Sequence, residues 1–177
     1  MGNHFYKRID NSNASTDCRN GLRDYVLQNP EYLDELCIIA LNTNYKNHHK
    51  GVWILEMIAE MQTDLLTDYI NTICETFSNI KNDSAIRGMS RIAFFLGTST
   101  KIKLTEIQEE KIIEICLDWL IREERVAPKV YAMKTLEHFS KKNQWIKDEL
   151  RNIINKDYAA QSAGYKAAAR EVLKKIK

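Results

Sequence analysis

In DSAIRGMSRIAFFLG, residues 83–97, Asp83 is placed to cap a helix that begins SAIRGM, by accepting a hydrogen bond from an amide that the first turn leaves open. Ser90 and Phe94 follow Arg87 by three and seven positions, steps that stay on one face of a helix. Thirteen positions before Arg87 stands Cys74, within TICETFS at 72–78. The same interval separates Cys37, within ELCIIAL at 35–41, from Lys50, and Cys116, within EICLDWL at 114–120, from Lys129.

The spacing extends in both directions. Cys37, Cys74 and Cys116 lie 37 and 42 positions apart, and so do Lys50, Arg87 and Lys129; a fourth unit continues as Ile153 and Lys166. Three positions after the basic residue come Trp53, Ser90, Ala132 and Ala169; seven after it come Met57, Phe94, Leu136 and Leu173. Leu36, Ile73 and Ile115 precede the cysteines, with Leu33, Ile70 and Ile112 four residues before them, so the first helix of each pair is amphipathic too. A helix pair of about 40 residues cannot bury its apolar face alone, whereas stacked copies share one core. The expectation is an all-α chain forming a right-handed α-α superhelix: a short solenoid of about four helical hairpins. A half-repeat carrying Arg19, Leu22 and Val26 at the matching offsets caps its N-terminal end.

Two prolines and six glycines leave long uninterrupted segments. Helices are predicted near 15–28, 30–41, 47–62, 64–79, 84–97, 106–121, 126–140, 144–156 and 161–176. Pro30 and Pro128 suit first helical turns, where a missing N–H costs nothing, and Thr105 with Gln108 forms a capping box. Residues 14–177 read as one solenoid domain, and residues 1–13 as an N-terminal extension whose order the sequence leaves open.

With 177 residues, 44% of them apolar, the chain can supply a continuous core. No apolar run approaches the roughly 18 residues needed to span a bilayer, and MGNHFYKRIDNSNAS has no hydrophobic signal region, so a cytoplasmic protein is expected. The Met-Gly start lacks the Ser or Thr of a myristoylation signal, since position 6 is Tyr. Four cysteines without short paired spacing read as reduced thiols. Residues 1–80 hold 6 basic and 11 acidic side chains, and residues 81–177 hold 20 and 13, an asymmetry able to steer a partner or to align molecules head to tail.

The segment 83–97 resembles the HEAT-repeat signature, in which an Asp closes the turn and a Val/Ile-Arg pair opens the second helix. Over 30–176 the pattern is looser: Lys replaces Arg at 50, 129 and 166, and the turn Asp is missing outside the central unit. The chain is also similar to small bacterial helical-repeat proteins, some of which are labelled adenylosuccinate lyase. That label implies a Ser-rich loop with Met-Pro-x-Lys-x-Asn-Pro, which a chain with Pro only at 30 and 128 cannot contain. The HEAT resemblance implies a non-enzymatic binding or scaffold protein that uses a concave surface. The alternative it implies is nucleic-acid binding in the manner of HEAT-like DNA alkylation-repair proteins, whose concave face is basic.

No catalytic set, cofactor or metal is assigned. Equivalent residues of successive repeats lie about 10 Å apart, too far to converge at about 2.3 Å on one ion, so Cys37, Cys74 and Cys116 read as packing residues. Cys18, outside the register and near a helix start, is the thiol most open to modification. His48 and His49 are expected to be exposed at a helix entrance. Trp53, Trp119 and Trp145 read as packing residues, although Trp53 stands where the other units have Ser or Ala, and so either fills a wider gap or protrudes into the groove.

The candidate concave surface comprises Lys50, Trp53, Arg87 and Arg91 in the first half of the chain, and Lys129, Lys166 and Arg170 in the second. The basic positions have two readings: a structural ladder, each charge meeting an acid or a helix end, with Asp83 the natural partner of Arg87, or a stripe that holds an acidic peptide or phosphates. A protein or peptide partner is favoured over nucleic acid, since the formal charge is only +2.

Overall fold

The structure, a computed structural model, describes residues 3–122 and 125–177. Among these the chain is all-helical. The helices are α1 (Asn3–Asp10), α2 (Thr16–Gln28), α3 (Tyr32–Leu41), α4 (His48–Met61), α5 (Ile70–Thr76), α6 (Asp83–Thr98), α7 (Glu106–Arg122), α8 (Val126–Ser140), α9 (Gln144–Asp157) and α10 (Ala163–Lys175). Tight 3-10 turns at Thr63–Tyr69, Phe77–Asn79 and Tyr158–Ala160 lie between them. No helix among the described residues is long and apolar enough to cross a membrane.

Nine of these helices fall where hydrophobic spacing predicts them. Local chemistry explains their ends. Ser15 accepts from the Cys18 amide and caps α2; Ser162 accepts from the Tyr165 amide and caps α10. The Thr105–Gln108 box forms in both directions: the Thr105 amide donates to Gln108 Oε1 at 3.0 Å, and the Gln108 amide donates to Thr105 Oγ1 at 3.3 Å. The cap of α6 is Asn82, whose Oδ1 accepts from the Ala85 amide at 3.1 Å, while Asp83, the expected cap, is the first helical residue.

One segment is shorter than expected, and one whose order the sequence left open is helical. Residues 64–79 carry only seven α-helical residues between tight turns. The Thr67 hydroxyl donates to the Asp64 carbonyl at 2.7 Å, a local bond that competes with the α ladder. The other segment is the N-terminal extension, which contains α1. There Phe5 and Ile9 are buried, and Phe5 stacks on Tyr25 and Tyr32.

By contacts the chain divides into two compact units, Met1–Ile92 and Ala93–Lys177, the border falling inside α6. In the first, α3 packs on α4 and α2 on α4. Gly51 makes the α3–α4 approach close: a Cβ there would lie 3.0 Å from Ala40 backbone atoms. In the second, α8 packs against α7, α9 and α10. Cys37, Cys74, Cys116 and Ile153, the four equivalent register positions, are all buried.

Candidate binding face

The basic register positions meet different surroundings. On α4, Lys50 donates from Nζ to the carbonyls of Asp10 at 2.5 Å and Ser12 at 2.8 Å, closing the C-terminal end of α1. A cation there also suits the negative end of a helix dipole. Asp10 is fastened further: Tyr45 donates its hydroxyl to the carboxylate, and Asn47 donates at 2.8 Å. These bonds, Tyr45 first, hold the Asp10 carboxyl below its ordinary range. Lys129 on α8 is buried, with Nζ 5.7 Å from the centroid of the Tyr165 ring. Lys166 on α10 donates to the Ala159 carbonyl at 3.0 Å, and the exposed Arg170 donates to the Tyr158 hydroxyl at 3.0 Å.

Trp53 is half-buried. Its Nε1–H donates to Ser84 Oγ at 3.2 Å, and its ring meets His49 edge to face at 5.2 Å. Both line an open pocket of about 450 Å³ with Lys81, Asn82, Asp83 and Ser84. The histidines are not the exposed pair that their place at a helix entrance suggests: His48 is buried and His49 half-buried. The cause is the Gly51–Ala40 approach, which draws the first turn of α4 onto α3 and leaves His48 beside the Ala40 carbonyl. Burial is the first cause lowering the pKa of both imidazoles.

The most distinctive cluster surrounds Glu56. This carboxylate is 1% exposed and lies on α4 among the guanidinium groups of Arg91 and Arg87 on α6 and Arg19 on α2. Arg91 spans two acids, Nη1 to Glu56 Oε1 at 2.9 Å and Nη2 to Glu60 Oε2 at 2.8 Å. Burial raises the Glu56 pKa above the ordinary carboxylate value, and the three arginines, Arg91 foremost, oppose it. Gly88 permits the approach: a Cβ there would lie 2.5 Å from Val52 Cγ1 and 3.0 Å from Glu56 Oε2. Arg87 is exposed, and Arg19 is half-buried with an Nε that has no hydrogen-bond partner among the described residues. Arg91 is thus bonded to both carboxylates, while Arg87 and Arg19 act on Glu56 through charge alone.

Within the Met1–Ile92 unit, α4 and α6 bring Arg87 and Arg91 into one cluster, while Lys50 and Trp53 serve separate contacts. Glu56, Glu60 and Arg19 were missed as site residues by sequence reasoning. A signal for Glu56 existed. It follows Lys50 by six positions, and the residues at that offset after Arg87, Lys129 and Lys166 are Ala93, Thr135 and Val172, all buried. An acid in that column must be buried and must find a cation.

The thiols have no comparable surroundings. Burial pushes Cys37 and Cys116 up to about 12, with Asp34 adding to the effect at Cys37 and a hydrogen bond from Thr135 opposing it at Cys116. No group of three or more His, Cys, Asp or Glu side chains among the described residues is placed to hold a metal ion. Comparison with family models, curated proteins and solved structures finds no match to this chain.

Proposed function

We propose that this helical chain is a non-enzymatic binding scaffold, its hairpins stacked as a short right-handed HEAT-like superhelix whose second helices line the concave face. The partner is a protein or peptide that offers carboxylates to the arginine cluster. The observation that carries this reading is the arginine cluster around Glu56, where Arg91 is held by Glu56 and Glu60 while Arg87 is exposed and Arg19 Nε has no hydrogen-bond partner among the described residues. A guanidinium prearranged beside other groups binds a carboxylate by a charge-assisted, often bidentate hydrogen bond, at low cost in ordering.

The nucleic-acid alternative has less support. Lys50 and Lys166 spend their ammonium groups on backbone carbonyls, and Lys129 is buried. Phosphate binding along a strand needs several exposed cations in series.

The test is fluorescence anisotropy of labelled glutamate-rich peptides, with and without leucine, titrated with the purified protein at low salt. Saturable binding that weakens with salt and falls about tenfold in Arg87→Glu is expected, which is the loss of one charge-assisted hydrogen bond. Absence of binding to every acidic peptide, or unchanged binding by Arg87→Glu, overturns the reading. Tighter binding to duplex DNA than to any peptide moves the assignment to nucleic acid.

A further inference from the structure

The outward face of α7 has a composition that packing does not require. Ile107 and Ile121 are 66% and 56% exposed, and between them Glu110 and Glu114 are exposed. Asp118, whose side chain is 40% exposed, pairs with Arg122 one turn further on. Steps of three, four, four and three residues keep Ile107, Glu110, Glu114, Asp118 and Ile121 on one side of the helix, a row about 21 Å long. An isolated exposed isoleucine is ordinary; two that bracket an acidic row on one face form an amphipathic docking strip.

The row is acidic inside a unit that is basic: Ala93–Lys177 holds 17 basic and 12 acidic side chains. The arginine cluster shows the converse, lying in Met1–Ile92, with 9 basic and 12 acidic side chains. Each patch therefore opposes the net charge around it and is opposite in sign to the other. We propose that the α7 face of one copy docks on the Arg19–Arg87–Arg91 cluster of a second copy, so that the chain associates head to tail. This rests on the reading of that cluster as a carboxylate receptor, and it names the partner as another molecule of the same protein.

The contact is heterologous, since different patches meet, and each pair retains one unused patch of each kind; association therefore propagates instead of closing as a symmetric pair. Opposite net charges of the two units steer the encounter in the same sense, over a range of about 10 Å at ordinary salt. A single helix face is smaller than the roughly 800 Å² per partner of a stable interface, so the association is weak and concentration-dependent.

The experiment is sedimentation of the full chain over a range of concentrations at low and high salt. The weight-average mass is expected to rise above the monomer value of 20.6 kDa with concentration, and to return to it in high salt. Arg87→Glu and the double variant Glu110→Lys/Glu114→Lys change exposed residues, so both should fold, with circular dichroism as the check. Each is expected to be monomeric alone, and their mixture to associate again, because one intact patch of each kind remains. A mass that stays monomeric at every concentration in low salt overturns the inference, as does self-association that survives either charge reversal. If the chain is monomeric but still binds glutamate peptides through Arg87, the self-docking inference fails and the receptor reading stands.

Discussion

Glu56 and Thr135 occupy the same column of the register, six positions after Lys50 and Lys129, and both are buried. Thr135 donates its hydroxyl to the Tyr131 carbonyl of its own helix at 2.8 Å and stands beside the Cys116 thiol, and Met133 on the same helix is buried too. Glu56 cannot be satisfied within its own helix and takes Arg91 from α6, in the column where the other units carry the buried Ile54 and Met133 and the exposed Arg170. On α8 this layer thus serves cohesion, while the first unit uses it to hold charge out of water. Buried ion pairs contribute little net stability, because desolvation offsets the attraction. The charged layer in the first unit is better explained by what it positions, the arginines beside it, than by what it stabilises.

The sharpest way to break the contrast is Glu56→Ala, which leaves Arg91 to the exposed Glu60 alone beside an emptied buried site and is expected to cost about 3 kcal/mol. Thr135→Val in the matching column removes one helical side-chain bond and should cost about 1 kcal/mol or less. Urea unfolding of both variants decides it; equal losses would mean that the two columns do the same work. Next in size is the double variant Glu56→Thr/Arg91→Met, which writes the residues of α8 into the first unit. Replacing a buried pair by packing groups is expected to leave stability unchanged or raise it by about 1–4 kcal/mol, while peptide binding is lost. A large destabilisation would show that the pair holds the first unit together.

Glycine substitutions sharpen the difference in packing. Gly88→Ala drives a Cβ into Val52 and the Glu56 carboxylate and should cost about 1–3 kcal/mol. Gly164→Ala in the second unit meets only Val126 Cγ1 at 3.4 Å, an ordinary contact, and should gain up to about 1 kcal/mol from helix propensity. Thermal melts separate the two signs.

The smallest expected effect is in pH. His48, His49 and His138 all have lowered pKa values, burial being the first cause in each. The unfolded chain then binds protons that the folded chain refuses, so stability is full above about pH 6.5 and declines as pH falls below it. The slope is at most about 1.4 kcal/mol per pH unit for each histidine kept neutral. Comparing His48→Gln with His138→Gln in urea titrations at several pH values shows which unit supplies it. A flat profile between neutral pH and pH 5 in the wild type would remove the effect from both.

The helices were legible because apolar spacing and capping chemistry are local. The Thr105–Gln108 box and the buried column of Cys37, Cys74, Cys116 and Ile153 follow from residue types a few positions apart. The helix α1 was not legible: Phe5 and Ile9 make only one turn of pattern in eight residues, and Phe5 packs on Tyr25 and Tyr32, which lie outside the segment. At the binding face, Arg87 and Arg91 were visible as a basic pair on one helix. Their dependence on Glu56 and Glu60 was not, because a carboxylate on another helix is found by packing and not by spacing along the chain. His48 was misplaced for a related reason. Its burial comes from Gly51, a residue whose importance lies in how closely it lets α4 approach the Ala40 backbone.

One side chain type, placed at even intervals along the polypeptide, furnishes a built-in set of opening gauges. Cys37, Cys74 and Cys116 sit in three different helices, each sealed from solvent, so a thiol-specific label can reach them only when the surrounding segment breathes. Mapping which of the three is tagged first, under conditions where the bulk of the protein stays native, gives the local opening free energy helix by helix without introducing a foreign probe.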